Sequence, residues 1–377
     1  MWGLRRVIRR EVGHIAEQPI LWVATLCVPL FSLLFMATIF GSGGMNDLAI
    51  GVIDCDSTPT TRAIIRTLDS SPTLRIAHAY TSTSEALDGL RRREIYGFVE
   101  FPEGVSEAVM MGTEATLPYY YHYALMSVGG EIASSLATAL TLVSVEPIAE
   151  VATSLGVPEE RIATFLEPIG VDIHPLGNPT LNYHEWLTAP FFYIMFQIIV
   201  LLVTLYAIGT ERTRGRGGEW MECAGGDMLC ALMGKLLPYT LTFLAVGLVA
   251  VWTLSKSVGL VGTLWWHALL TLLLITSSQA LAIFVYSLVP ILGISMSFTS
   301  MIGSLGATLS GVTFPLGSMY PIFDRLALAL PVRHFMILSE GESWHLGWVH
   351  IVVLIAFGLL PLLSLRRLQH FITTPER

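Results

Sequence analysis

Between Ser257 and Phe323 the chain runs for roughly 65 residues without a single Asp, Glu, Lys or Arg. About 20 apolar residues suffice to cross a bilayer, so this one stretch holds room for more than one crossing. In soluble domains charged residues make up about a quarter of the total. Here they are 13%, against 53% hydrophobic residues. The composition describes an integral membrane protein with a separate polar part.

The polar part runs from Met45 to Glu185 and carries 19 Asp and Glu against 7 Arg and no Lys, a balance of −12. The net charge of the whole chain is −8, so the acidity belongs to this segment. Nucleic-acid binding needs clustered Lys and Arg, and the cluster Arg91, Arg92 and Arg93 is too short to supply it. No nucleic-acid partner is expected. The cysteines Cys27, Cys55, Cys223 and Cys230 fall in different compartments, so no disulfide is expected within the polar segment. Cys223 and Cys230 have no nearby His and lack the close pairing of zinc sites, and no metal site is expected.

Six spans are read: Ile20 to Phe40, Trp186 to Gly209, Leu236 to Leu254, Trp265 to Tyr286, Ile291 to Phe314 and Leu346 to Leu365. The first is longer than the apolar core of a secretory signal peptide and reads as a retained anchor. Ahead of it, Leu4, Ile8, Val12 and Ile15 recur at helical spacing among arginines, so residues 1–19 read as an amphipathic helix on the membrane surface. Lys and Arg flank the spans at Arg5, Arg6, Arg9 and Arg10, at Arg212, Arg214, Arg216 and Lys235, and at Arg366 and Arg367. With six crossings all three groups share one face, which the positive-inside rule assigns to the cytoplasm. Both termini then lie inside, with residues 369–377 as a tail, and the acidic segment lies outside. The uncharged turn Ser287 to Pro290 fits a re-entrant pair as well as a crossing.

Within residues 45–185 the pattern alternates. Strands are expected at 48–53, 73–79, 96–101 and 117–123. Helices are expected at 60–69 and 84–93, from Pro102, from 127 to 155, and near 158–166. Such alternation implies a mixed α/β domain with a mainly parallel sheet. The expected fold is thus an α-helical membrane block over 186–368, joined to an α/β domain inserted after the first span.

No phosphate-binding loop occurs, because Gly234-Lys235 is followed by Leu236, and neither a nucleophile elbow nor a His-Glu-x-x-His pair is present. The spans carry no carboxylate or lysine of the kind that couples ions to transport. Enzymatic chemistry in this chain is not expected.

Three segments remain: the loop Glu211 to Asp227 leading to Leu232 to Tyr239, the segment Ser310 to Pro321, and the segment Leu328 to Met336. Together with the order of one span, a large domain and five spans, they resemble the permease subunits of type-2 ABC exporters, in the subgroup with a large periplasmic insertion. The resemblance rests on Glu211, Arg212, Lys235, Leu236, Pro238 and Tyr239; on Ser310, Gly311, Phe314, Pro315, Ser318 and Met319; on Pro331 and Phe335; and on Ile53 to Ser57 and Gly97 to Gly104. One departure is Glu-Arg-Thr-Arg-Gly-Arg-Gly-Gly from Glu211 to Gly218, which shifts the register of the expected coupling helix.

The resemblance implies an exporter of an amphiphilic substrate in the bacterial inner membrane. ABC ATPase subunits would bind ATP and magnesium, this chain holding no cofactor of its own. A second permease copy or paralogue is implied, and a periplasmic adaptor and membrane lipid are further candidate partners. Glu211, Arg212, Glu219, Trp220, Gly225, Gly226 and Lys235 form the expected ATPase-coupling loop, 210–235. Gln197, Gly303, Ala307, Gly311, Phe314 and Pro315 are expected at the transport path or a dimer seam, since small residues every fourth position let membrane helices approach closely. Internal packing explains the same spacing, and positive-inside anchoring explains the same loop. The alternative function is a membrane-anchored receptor or scaffold whose outer domain binds a ligand or adaptor.

Overall fold

The computed structural model describes residues 2–41, 43–44, 46–111, 116–122, 128–141, 182–260, 262–341 and 344–374. The chain divides into two compact units, Met1–Gly41 with Asn182–Arg377, and Ser42–Leu181.

The first unit begins with helix α1, Trp2–Glu17. Its buried face differs from the apolar one expected. Val7, Glu11 and His14 are buried, whereas Val12 is exposed. A carboxylate is tolerated there because it is fully partnered, as described below. Pro19 then opens α2, Pro19–Ile39, which contains a π turn at Val23–Cys27. Phe31, Leu34 and Phe35 project from its exposed side, as suits a lipid-facing surface.

The second unit holds a four-stranded sheet of order β2-β1-β3-β4, with β1 Leu48–Asp54, β2 Leu74–Tyr80, β3 Gly97–Phe101 and β4 Tyr119–Tyr121. β1 is parallel to both β2 and β3, and β4 is antiparallel to β3. Between the strands run α3, Pro59–Asp69, and α4, Thr83–Arg91; after them come α5, Val105–Met111, and α6, residues 128–141. The chain crosses from β1 to β2 and back past β1 to β3. Right-handed crossovers in opposite directions place α3 and α4 on opposite faces.

The packing agrees. Ile64 and Leu68 of α3 join Ile50 and Val52 on one face, with Ile132 and Leu136 of α6. Ala86 and Leu90 of α4 join Ile53 and Phe98 on the other. The mixed sheet expected from sequence is present, with a fourth strand of only 3 residues. The expected helix near 158–166 and the end of the one from 127 lie outside the described residues.

Where β1 and β3 end, their loops are tied by one carboxylate. Asp56 accepts the backbone N–H of Gly104 at 2.8 Å and of Ser106 at 3.0 Å. Thr58 and Ser106 hydroxyls also meet there. The Ser106 side chain first, and then the Gly104 N–H, hold the Asp56 carboxyl below its usual range.

The rest of the first unit is helical: α7 Tyr183–Thr213, α8 Gly217–Cys223, α9 Met228–Ser257, α10 Leu264–Leu288, α11 Leu292–Thr308, α12 Pro321–Ala327, α13 Pro331–Ser339, α14 Trp344–Leu359 and α15 Leu365–Thr373. α7 is central, packed against α2, α10 and α11, and Phe192, Phe196, Val200 and Leu201 are fully buried. Among the described residues, α2, α7, α9 and α10 are long and apolar enough to cross a membrane, and the bent pair Gly347–Leu363 and Leu365–Thr373 makes a fifth candidate.

Two expectations change here. The span drawn from Ile291 to Phe314 is helical only as α11, 17 residues, or about 25 Å at 1.5 Å per residue. The segment expected as a tail from 369 begins inside α15, because Leu365, Leu368 and Ile372 form one apolar face that is buried or half-buried in the unit.

Candidate functional site

The loop between α7 and α9 is anchored by buried charges. Glu211, in the last turn of α7, takes both guanidinium nitrogens of Arg10, at 2.9 and 2.8 Å. Lys235, in the third turn of α9, donates to Glu211 at 2.7 Å and to Glu11 at 2.6 Å. The Tyr239 hydroxyl donates to the second oxygen of Glu11 at 2.7 Å. Two carboxylates and two cations therefore close a neutral set, and Glu11, Glu211 and Lys235 have no exposed surface. Charges so placed persist only when each is paired and hydrogen-bonded. Burial works against ionisation of Glu11, but His14 and Lys235 outweigh it and leave its carboxyl below the usual range.

His14 extends the set. Its Nε2 lies 2.7 Å from Arg216 Nη2 and 2.6 Å from Gln18 Nε2. Both neighbours are donors, so Nε2 accepts and the ring proton sits on Nδ1, 3.8 Å from Glu11. Glu11, His14 and Glu211 offer oxygen and nitrogen atoms within 4.8 Å of one another, a donor set a metal could use. The ammonium of Lys235 already stands between the carboxylates, and Arg10 takes both oxygens of Glu211.

Helix α8 lies beneath this cluster. Trp220 and Met221 point inward, and the Lys235 ammonium lies 5.3 Å from the Trp220 ring centroid. Outward face Gly218, Glu219 and Glu222. Gly225 and Gly226 end the helix with φ of 74° and 81°, backbone that favours glycine, and Asp227 caps α9 through the Leu229 N–H at 2.9 Å. Of the expected coupling residues, Glu219, Gly225 and Gly226 are exposed, while Glu211, Trp220 and Lys235 are buried and support the loop from within. Arg212 turns the other way, donating to the carbonyl of Pro290 and stacking 5.8 Å from the Phe371 centroid.

Residues missed by sequence reasoning are Arg10, Glu11 and His14. The signal was present as Gly3, Val7, Glu11 and His14 at helical spacing, with Glu11 an acid directly after four arginines in the same helix.

The second expected group does not form one surface. Gln197 is buried on α7, and a Cβ on Gly303 would approach Ile198 of α7 to 2.7 Å. Ala307 is half-buried near the end of α11. Gly311 lies beyond that helix at φ 89°, so the seam of small residues at every fourth position breaks after Ala307. Arg333 fills the space beside Gly311 and donates to the carbonyl of Ser310 at 2.8 Å. Phe314 and Pro315 are exposed.

A family model described as ABC-2 family transporter protein matches residues 19–365. No curated protein matches the chain.

Proposed function

Because the chain belongs to the ABC-2 transporter family and is thereby a transmembrane permease of an ABC transporter, we propose that it is the gate of an exporter, driven through α8 by separate ATPase subunits. The observation that carries this reading is the neutral four-charge cluster of Arg10, Glu11, Glu211 and Lys235. It joins α1, α7 and α9 at the loop, so that a push on α8 is delivered to two candidate spans at once rather than absorbed by a loose connection.

On this reading Glu219 and Glu222, together with Gly225 and Gly226, form the surface that meets the ATPase, while Glu211, Trp220 and Lys235 hold it in place. The loop and both termini face the cytoplasm, residues 45–185 face the opposite compartment, and α11 to α14 complete six crossings. The path opens where α7 and α11 part, near Gln197. A second permease copy or a paralogue completes it, seated on the exposed apolar stripe Ile294, Phe298, Met301 and Leu305 of α11. The central turns of α7, α9 and α10 carry no Asp, Glu, Lys or Arg, which favours amphiphilic cargo over ions.

Purification of the chain together with its ATPase subunits tests the reading. Glu219→Lys combined with Glu222→Lys should weaken their association roughly 10-fold or more, as expected when charge at a contact is reversed, while membrane insertion is unchanged. Full association of that variant would contradict the assignment.

A further inference from the structure

Helix α15 touches three places, namely α8, the end of α7 and the turn between α10 and α11. Against α8, Leu368 and Ile372 are buried in one apolar cluster with Trp220 and Met221. Gln369 Nε2 also donates to the carbonyl of Gly226 at 3.3 Å. Gly217, the first residue of α8, leaves no room for a side chain, since a Cβ there would meet the backbone carbonyl of Ile372. At the end of α7, Arg212 lies over Phe371 and donates to the carbonyl of Thr374 at 3.4 Å. At the turn between α10 and α11, Arg367 donates to the carbonyl of Leu288 at 3.2 Å, and Arg212 reaches Pro290.

Helix α8 has only 7 residues and no side-chain cap at its N-terminus. A helix that short does not hold its shape in water by itself, so its position is set by what packs on it. On one side that is α1, where a Cβ on Gly3 would come within 3.0 Å of the Ala224 carbonyl. On the other it is α15, of which all but the first residue lies beyond the family match at 19–365.

We propose that α15 is a strap that clasps α8 and carries its displacement to the α10–α11 turn, with Leu368 and Ile372 as positioning residues for the transport cycle. This rests on the reading of α8 as the coupling helix. Without the strap, α8 can still meet the ATPase and push on α7 and α9 through the charge cluster, but the direct route from α8 to the α10–α11 turn is lost.

The test uses the full chain with Cys27, Cys55 and Cys230 replaced by Ser, which leaves Cys223 on α8. In inside-out vesicles, Leu368→Asp with Ile372→Asp should raise the rate of Cys223 labelling by a maleimide roughly 5-fold, whereas Ile372→Val should leave it at the parent rate. In the complex with its ATPase subunits, Ser297→Cys on the exposed side of α11 serves as reporter. ATP with vanadate should change its labelling rate roughly 5-fold in the parent, the lower end of ordinary coupling between sites, and less than about 2-fold in the Asp variant, where only the route through α7 remains. Should that variant fail to insert, Gly217→Val presses α8 away from α15 from the other side and should give the same pattern.

Unchanged Cys223 labelling in an inserted variant overturns the strap and leaves the coupling reading standing. Faster Cys223 labelling with an intact ATP response at Ser297→Cys overturns the transmission role alone. A parent chain that binds no ATPase sinks the coupling reading and this proposal with it.

Discussion

Lys235 Nζ lies 2.6 Å from Glu11 Oε2, although the two residues are 224 positions apart and neither side chain has any exposed surface. That contact closes α1 onto α9, and Glu211 shares the same ammonium at 2.7 Å. Removing one member of a buried ion pair strands the other, at a cost of about 3–5 kcal/mol. Lys235→Met should therefore destabilise the detergent-purified chain by about that amount in thermal unfolding. Glu11→Gln added to Lys235→Met should restore part of the loss, because the second change removes a stranded carboxylate and the two sites couple. Additive losses would show that the pair is not a unit.

Gly234 sets how closely α1 approaches α9. A Cβ there would come within 2.7 Å of the Val7 Cβ and 3.3 Å of the Leu4 carbonyl. Both are close to the backbone of α1 and cannot swing aside. Gly234→Ala should cost about 1–3 kcal/mol, as overpacking does, and should loosen α1, which tryptic cleavage at the exposed Arg5, Arg6 and Arg9 would report. Cleavage at the parent rate would count against the close packing.

Asp56 links stability of the α/β unit to pH. Its carboxyl is held below the ordinary value of 3.8 in the folded chain, first by Ser106 and then by Gly104. A carboxylate with a depressed folded pKa stabilises fully above its unfolded value and loses that contribution as pH falls through the folded value. Thermal stability of the unit should therefore drop as pH falls below about 4, and Asp56→Asn should flatten that slope while lowering stability at neutral pH. A variant with the parent slope would show that Asp56 does not carry the effect.

Much of this was legible in the residues themselves. Apolar length located α2, α7, α9 and α10, and the alternation within residues 48–141 matched the order of strands and helices among the described residues, since both signals are local. What escaped was set by distant partners. Glu11 reads as a solvated charge on a basic helix until Lys235, Glu211 and Tyr239 are brought to it. Gly303, Ala307 and Gly311 repeat like a helix face, yet the left-handed backbone at Gly311 ends the repeat; glycine favours such backbone and close helix packing alike, so the residue type alone does not choose between them. Ile372 shares the apolar spacing of one docked helix with Leu365 and Leu368, although the expected boundary between membrane block and tail falls between them, at 369.

The account depends on α8 facing the compartment that holds ATP. A single cysteine placed by Glu219→Cys, in a chain whose four native cysteines are replaced by Ser, reports this directly with a membrane-impermeant maleimide. Labelling is expected in inside-out vesicles, with protection once the ATPase subunits are bound, and none in intact cells. Labelling of Glu219→Cys in intact cells would place α8 on the wrong side of the membrane and contradict the account.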